Sequence, residues 1–182
     1  ALRIYNSIKE SIRQAKIGRI WVKGNYQFMI SDPVAQCRSA LGLSPDGLLD
    51  ANHVYSNFWN ERGTTGEICL LRSPLTHYSE VNVQELSSTE EMRKWYKYIY
   101  SGIIYNIYDI SVVKHADSDF DGDIFFLCDE PIVIDSKIDK NIILDIEDKV
   151  TAKSKPYTKE NLIEYEVMTR DNRIGEITNV AT

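Results

Sequence analysis

Apolar residues recur along this chain at two spacings, and the wider spacing is typical of amphipathic helices. Ile4, Ile8 and Ile12 stand four residues apart with Lys and Glu between them, which predicts a helix over residues 3–16. Three more helices are predicted from capping residues: one after Asp32 with Pro33 in its first position, one from Ser88 to about Tyr100, and one after Thr158. The inward faces expected are Val34, Cys37 and Leu41 in the second helix and Met92, Trp95 and Ile99 in the third.

Shorter apolar runs predict strands. Residues 19–30 alternate loosely around Gly24-Asn25, which predicts two strands and a turn, whereas residues 43–66 are rich in turn residues and are expected to be loop. The other predicted strands are 67–72, 81–86, 103–107, 110–113, 124–127 and 132–134. Many short strands joined by loops, with one inserted helix, favour a β-barrel over a βαβ sheet. The sequence shows no internal repeat.

These elements suggest three regions. We expect residues 1–66 to form a helix and an irregular α/β segment packed on the barrel, and residues 67–135 to form the barrel core. Residues 136–182 are expected to form an exposed Lys- and Asp-rich segment and a last helix. The abrupt ends of the pattern suggest that the chain is a fragment of a longer protein.

Composition limits the classes of function. A hydrophobic content of 43% in 182 residues supports a real core, and the net charge of −6 argues against a free-standing nucleic-acid binder. Cys37, Cys69 and Cys128 are far apart and form no CxxC pair, so reduced, buried thiols are expected in place of a disulfide frame or zinc site. No apolar run is long enough for a membrane span and no signal peptide is visible, which predicts a cytoplasmic protein without a membrane partner.

Three carboxylates stand at alternate positions in the stretch Asp119-Phe120-Asp121-Gly122-Asp123, which lies between apolar runs. Alternate residues of an extended stretch share one face, so the three Asp side chains can converge while Phe120 points into the core. Three carboxylates this close resist joint ionisation unless a hard cation neutralises them. Mg²⁺ prefers a few carboxylates together with waters and substrate phosphates. The stretch therefore indicates metal-assisted chemistry on a phosphate compound.

The carboxylates have two other interpretations. A solvated acidic turn is the plainest one, and the apolar flanks argue against it. A calcium loop is the other, because residues 117–122 fit the first six positions of an EF-hand. The twelfth position of that pattern, where a bidentate Glu belongs, is Cys128.

The DFDGD stretch between two apolar strands resembles the metal-binding loop of the two-barrel RNA polymerase superfamily. That superfamily includes the largest subunit of multisubunit RNA polymerases, the silencing-type RNA-dependent RNA polymerases and single-chain phage-type RNA polymerases. Residues 72–77 are similar to the family's R-x-P-x-x-H segment, and residues 175–179 resemble a G-x-I-x-N stretch of the silencing-type enzymes. The resemblance covers roughly Glu67 to Asn179.

The resemblance implies an α+β fold, a double-psi β-barrel with inserted and flanking helices. It implies that Asp119, Asp121 and Asp123 are the catalytic residues and hold Mg²⁺, and that a second ion arrives with the nucleoside triphosphate. Arg72 matches a family arginine near the nucleotide sugar, and His77 matches a further family position. Asp117 stands where the family has an Asn that helps read the ribose 2′-hydroxyl. An ionised Asp accepts but cannot donate a hydrogen bond, so this mode of ribose selection is in doubt here.

The activity implied is Mg²⁺-dependent RNA chain elongation by nucleotidyl transfer. A second barrel in the same or a partner chain is expected to supply phosphate-binding lysines, and the full-length protein to supply contacts to template and RNA product. This chain alone is therefore expected to be inactive. The letters DFDGD match the DNA-dependent branch and favour a DNA-templated, phage-like or mobile-element-like enzyme. The alternatives are an RNA-dependent polymerase of the silencing type and a non-catalytic barrel that serves as a binding module.

Overall fold

A computed structural model of the protein describes residues 2–19, 21–138, 143 and 154–169. The chain divides into two compact units, Ala1–Ile146 and Glu147–Thr182. The helix predicted after Thr158 is present in the second unit, as Lys159–Thr169. None of the helices in the described ranges is both long enough and apolar enough to cross a membrane.

The first unit alternates strands with short helices. In chain order its elements are α1 (Leu2–Lys16), β1 (Asn25–Ser31), α2 (Pro33–Ala40), β2 (His53–Tyr55), α3 (Asn57–Glu61), β3 (Gly66–Arg72), a 3₁₀ turn (Tyr78–Glu80), β4 (Asn82–Leu86), α4 (Glu90–Trp95), β5 (Gly102–Tyr105), β6 (Ile124–Cys128) and α5 (Pro131–Ile134). The helix of the second unit is α6 (Lys159–Thr169).

The six strands form a closed barrel in the order β1-β5-β2-β4-β3-β6. Two pairs are parallel, β1 with β5 and β2 with β4, and the other four pairs are antiparallel. If β1, β2 and β3 are exchanged for β4, β5 and β6, every pairing is preserved. Each half also places a helix, α2 or α4, after its first strand. This connectivity confirms the predicted α+β double-psi β-barrel, and it contains a twofold repeat that the sequence did not show.

Alternate residues of the strands fill the barrel interior, as the pleat requires. All six strands contribute to this cluster, which includes Met29, Val54, Ile68, Leu70, Leu86, Ile103, Tyr105, Phe125 and Leu127. Residues between them face outward. Tyr55 and Ile104 do so, and they pack with Leu49, Met92 and Tyr96 in a second cluster against the helices.

A buried carboxylate joins the two halves of the barrel. Asp32 caps α2, because its Oδ1 accepts hydrogen bonds from the backbone N–H groups of Val34 (2.9 Å) and Ala35 (3.3 Å). The same oxygen accepts the hydroxyl of Tyr96 (2.8 Å), which follows α4, and Oδ2 accepts the N–H of Leu48 (2.8 Å). Asp32 is fully buried. Four donors therefore depend on one side chain.

Several predicted elements differ from the structure. The barrel includes β1 and β2, so residues 1–66 supply two of its strands in addition to packing on it. The described part of residues 19–30 holds one strand instead of two, and residues 43–66 hold β2 and α3 where a loop was predicted. Strand β2 has only three residues and is defined by its pairing with β4 and β5, which local sequence does not reveal.

Two predicted strands are wrong because turn-forming and helix-starting residues override their apolar composition. Residues 110–113 form turns, because Asn106 Oδ1 accepts the N–H groups of Tyr108 and Asp109, and Asp109 Oδ1 accepts the N–H of Ser111. Residues 132–134 belong to helix α5, whose first position is Pro131.

The inward faces of two helices also differ from prediction. In α2 the buried residue is Ala35, whereas Cys37 and Leu41 are exposed. Helix α4 ends at Trp95 instead of about Tyr100, and this change of backbone turns Tyr96 inward and leaves Trp95 exposed. Helix α1 is present as predicted, but its apolar face is exposed.

Unlike the exposed Cys37, Cys69 and Cys128 are buried, free thiols, as predicted. Cys69 of β3 and Cys128 of β6 lie directly opposite each other in the β3–β6 ladder. The facing Cys69 thiol lowers the pKa of Cys128 below its usual value.

Replacing Asp32 by Ala should destabilise the fold strongly. The substitution removes a helix cap and leaves the buried donors of Leu48 and Tyr96 without their acceptor, which together should cost about 3 kcal/mol of unfolding free energy. Urea unfolding followed by circular dichroism measures this loss.

The matched control for Asp32→Ala is Asp46→Ala. Asp46 also pairs with α2, through Arg38 Nη2 at 3.0 Å, but both side chains are exposed. An exposed ion pair contributes little, about 0.5 kcal/mol or less. Equal losses in the two variants would show that Asp32 does not organise the fold.

Candidate metal centre

The DFDGD loop ends where barrel strand β6 begins. The backbone N–H of Met29 in β1 donates to the carbonyl oxygen of Asp123 at 2.9 Å, one residue beyond the paired residues of β6. Gly122, just before it, has φ 131°, in the region that favours glycine. The sheet therefore fixes the last residue of the loop, and Gly122 permits the bend before it.

Three carboxylates of the loop converge, as predicted, but a turn brings them together instead of an extended stretch. Asp119, Asp121 and Asp123 each offer one oxygen, and these three oxygens lie within 4.8 Å of one another. Asp119 and Asp121 are exposed, and Asp123 is half-buried. The prediction that Phe120 points into the core is wrong, because half of its side-chain surface is exposed. The loop turns before β6 begins, so its residues do not follow the barrel's inward and outward alternation.

Arg72, the last residue of β3, binds Asp123 through two nitrogens. Its Nε lies 2.9 Å from Asp123 Oδ2, and its Nη2 donates to Oδ1 at 3.2 Å. Its Nη1 donates to the carbonyl oxygen of Ala116 at 2.9 Å. Both side chains of the ion pair are mostly buried, at 18% and 19% exposed. This forked geometry orients the Asp123 carboxylate and ties β3 to the turn that precedes the loop.

Hydrogen bonds within the loop hold the carboxylates close together. The N–H of Asp119 donates to Asp123 Oδ2 at 3.0 Å, and the N–H of Asp121 donates to Asp119 Oδ1 at 3.3 Å. A hydrogen bond with the Asp119 side chain, together with the charge of Asp119, raises the pKa of Asp121 above its ordinary value. Arg72 offsets part of this shift. The three carboxylates therefore repel one another when no cation is bound.

This group of oxygens fits a hard divalent cation. Oxygens that share one Mg²⁺ at about 2.1 Å lie roughly 3–4 Å apart, so small side-chain rotations would bring the three Asp into its coordination sphere. Exposed Asp119 and Asp121 leave room for waters or phosphate oxygens as further ligands. Asp123 Oδ2 already accepts from Arg72 Nε and from the N–H of Asp119, whereas Oδ1 accepts from Arg72 Nη2 and keeps a second lone pair for a cation.

The structure places the two remaining predicted contacts outside this group. His77 caps the 3₁₀ turn, where its Nδ1 lies 2.7 Å from Ser79 Oγ and also accepts the N–H of Ser79. Asp117 lies just before the loop, with φ 56°, and is not one of the three converging carboxylates. The predicted stretch 175–179 lies outside the described residues.

His115 supports the site in a way that the sequence did not reveal. It is fully buried, its ring lies 4.5 Å from that of Phe125, and its Nε2 is 3.2 Å from the amide nitrogen of Asn82. Burial, with smaller contributions from the charges of Arg72 and Lys114, lowers the pKa of His115 to about 3. The neutral ring anchors the turn whose next residue, Ala116, receives Arg72. No periodicity or motif in the sequence marks His115, because its partners Asn82 and Phe125 belong to strands β4 and β6, which are separate from its own turn.

Comparisons with known proteins give a limited result. No protein-family model matches the chain, and no curated protein sequence matches it. Among solved structures, the chain is similar to "RNA dependent RNA polymerase QDE-1 from Thielavia terrestris", with a TM-score of 0.49 and 16% sequence identity. The match covers 66% of this chain and 12% of that chain. The activity of this chain therefore has to be argued from its own residues.

Replacing Asp121 by Asn should stabilise the metal-free protein. The substitution removes one of the repelling charges, so the melting temperature in EDTA at pH 7 should rise above that of the parent. A raised pKa in the folded state means that the repulsion acts above this pKa and is relieved as the pH falls through it. The difference between the two proteins should therefore shrink at acidic pH, as thermal unfolding at several pH values would show.

The same variant should lose its response to metal. Mn²⁺ that binds the native state should raise the melting temperature of the parent and leave Asp121→Asn nearly unchanged. Asp129→Asn is the control and should respond like the parent. Asp129 is exposed and follows the last residue of β6. A full Mn²⁺ response in Asp121→Asn would exclude Asp121 as a ligand.

Proposed function

We propose that this chain is the metal-binding catalytic barrel of an RNA polymerase, which extends an RNA chain by nucleotidyl transfer. The observation that carries the proposal is the convergence of Asp119, Asp121 and Asp123 in a DFDGD loop of a closed double-psi barrel. The loop stands directly before the strand that closes the barrel, and the arginine of the separate R-x-P-x-x-H segment binds its third Asp. Two motifs that are distant in sequence therefore meet in one site.

Each residue of the site has a distinct part in this proposal. The three Asp would hold Mg²⁺, which would lower the pKa of an attacking hydroxyl and stabilise the charge of an in-line displacement. Arg72 uses three of its five N–H donors on Asp123 and Ala116, which leaves two for a nucleotide sugar or phosphate. Arg72 would thus both orient Asp123 and contact the substrate.

Two further residues are proposed as substrate contacts on weaker grounds. His77 has its Nδ1 in the cap of the 3₁₀ turn, so only Nε2 of its ring is left for a nucleotide. Asp117 precedes the loop on an exposed turn, where it could accept a ribose hydroxyl but not donate to one.

The proposal requires partners outside this chain. The substrates would be nucleoside triphosphates, and a second ion would arrive with them. The lysines that grip the phosphates would belong to a second barrel in the same or a partner chain. Template and RNA product would be held by the complete protein.

The template could be DNA or RNA, and the residues of this chain point both ways. The DFDGD letters resemble the DNA-dependent branch, whereas the G-x-I-x-N letters of residues 175–179 resemble the silencing-type RNA-dependent enzymes. We keep a phage-like, DNA-templated enzyme and an RNA-templated enzyme as equal forms of the proposal. A primer annealed to matched DNA and RNA templates would separate them.

A non-catalytic barrel is the competing function. Such a barrel would have no use for three mutually repelling carboxylates, and neutral substitutions in the loop would then be favourable without cost. The isosteric variant Asp121→Asn distinguishes the two functions. In a binding module it should raise stability and leave partner binding intact, whereas in a polymerase it should abolish RNA elongation.

Elongation should depend on Asp121 and on a second barrel. This chain alone, given primer, template, the four nucleoside triphosphates and Mg²⁺, should show no elongation. Joined with its lysine-bearing barrel it should elongate, and Asp121→Ala should reduce the rate by at least about 100-fold, as expected when a group that stabilises transition-state charge is lost.

A gel assay of primer extension measures both outcomes. Asp129→Ala is the control and should elongate at the parent rate. Robust synthesis by this chain alone would overturn the need for a partner barrel, and unchanged synthesis by Asp121→Ala would overturn the role of the metal.

A further inference from the structure

The segment that follows the first turn of α4 is basic and aromatic, although the protein is acidic. Residues 93–100 read Arg-Lys-Trp-Tyr-Lys-Tyr-Ile-Tyr, with no carboxylate among them, whereas the whole chain has a net charge of −6. The two preceding acids, Glu90 and Glu91, lie in the first turn of α4, where they complement the helix dipole. We name residues 93–100 the basic-aromatic segment.

The basic-aromatic segment is fixed from its inner side. Tyr96 is buried and donates its hydroxyl to Asp32 at 2.8 Å. The side-chain amide of Asn57 donates to the carbonyl oxygens of Tyr96 at 2.6 Å and Ile99 at 3.0 Å. The oxygen of that amide accepts the hydroxyl of Tyr55 at 2.6 Å. The backbone beyond α4 is therefore held in place without using the outward side chains.

Of the three outward aromatic rings, those of Trp95 and Tyr98 each lie near a lysine ammonium. Trp95, Tyr98 and Tyr100 are 59%, 80% and 58% exposed. The ammonium of Lys94 lies 5.5 Å from the ring centroid of Trp95, and that of Lys97 lies 4.6 Å from the ring centroid of Tyr98. Exposed rings accept stacked bases and adjacent cations accept phosphates, which is the combination found in proteins that bind single strands.

A shallow pocket beside the segment adds a place for one phosphate. Its volume is about 230 Å³, and Arg93, Lys97 and Tyr100 contribute to its lining. Glu61 also lines this pocket and reduces its positive charge. The volume is smaller than that of a typical ligand site, so the pocket suits a phosphate better than a whole nucleotide.

The residue that follows the segment, Ser101, lies across strand β1 from the DFDGD loop. The carbonyl oxygen of Ser101 accepts the N–H of Phe28 at 2.8 Å, and the carbonyl oxygen of Asp123 accepts the N–H of the next residue, Met29, at 2.9 Å. Ser101 and Asp123 thus flank β1 on opposite sides. Because neighbouring strands are about 4.8 Å apart, the two backbones are roughly 10 Å apart.

We propose that the basic-aromatic segment binds single-stranded nucleic acid next to the metal loop. Bases would stack on Trp95, Tyr98 and Tyr100, and Lys94 and Lys97 would pair with the phosphates between them. A single strand uses both features together, whereas an acidic peptide would use the cations alone and an apolar partner the rings alone. The choice of ligand rests on the proposed function, since a polymerase must hold a strand beside its metal.

Fluorescence anisotropy with a labelled oligouridylate of about 12 nucleotides, which spans a typical single-strand site, tests this binding. The 182-residue chain is used in EDTA, so that neither metal nor catalysis is needed. Trp95→Ala and Tyr98→Ala should each weaken binding about tenfold, the effect of losing one stacked base. Trp21→Ala is the matched control, because Trp21 is 99% exposed and lies outside the segment.

The salt dependence of binding separates the phosphate contacts from the stacked rings. Lys97→Ala should lower the slope of log affinity against log salt by about 0.7, the value for one phosphate contact on a single strand. Tyr98→Ala should leave that slope unchanged. Lys9→Ala on exposed α1 removes the same charge elsewhere and should change neither slope nor affinity.

The inference is overturned if the oligouridylate does not bind, or if Trp21→Ala weakens binding as much as Trp95→Ala. Equal competition by polyglutamate would overturn the choice of nucleic acid as the ligand. Strand binding that depends on Trp95 and Tyr98, without any metal response at the three Asp, would refute the proposed function and support this inference. A metal response at the three Asp, without strand binding that depends on Trp95 and Tyr98, would refute this inference and support the proposed function.

Discussion

Closure of the barrel through β6 is the constraint on which the rest of the structure depends. β6 pairs with β1 on one side and with β3 on the other, and its first residue directly follows the DFDGD loop. Asp123, the residue before β6, also bonds to both neighbouring strands. Its carbonyl oxygen accepts a hydrogen bond from β1, and its side chain pairs with Arg72 at the end of β3. The DFDGD loop therefore precedes a strand that is paired on both edges, which gives the third carboxylate a fixed position while the first two stay exposed to solvent.

In this site, repulsion among the three Asp carboxylates is offset in part by the guanidinium of Arg72. Arg72 neutralises Asp123, but Asp119 and Asp121 remain close together, and the pKa of Asp121 is raised as a result. Such stored repulsion lowers stability and increases the attraction for a divalent cation, a compromise common at functional sites. The neutral, buried His115 serves the same end, because it anchors the turn beside Arg72 without adding a charge to the crowded site.

The two halves of the barrel share their connectivity but not their chemistry. The connection between β5 and β6 carries the acidic loop, whereas the matching connection between β2 and β3 carries α3. The connection after β4 carries the basic-aromatic segment, and the one after β1 carries α2. Backbone pairing sets the shared connectivity, and side chains are free to differ once the barrel is closed. Ser101, which follows the basic-aromatic segment, and Asp123 of the DFDGD loop bond to β1 from opposite sides.

The sequence by itself determined that the fold is a β-barrel, and it located four of the strands, β3 to β6. It also determined the cap at Asp32 and the three converging carboxylates. Each of these depends on local rules: alternation, capping chemistry and the spacing of like charges. Tertiary structure decided the rest. The three residues of β2 are a strand only because β4 and β5 lie beside them, and His115 matters only because Asn82 and Phe125 surround it. Tyr96 is buried where Trp95 was expected, because the buried Asp32 accepts its hydroxyl and Asn57 donates to its backbone carbonyl oxygen. Contacts between residues far apart in the chain leave no periodic signal, so no local pattern could have predicted them.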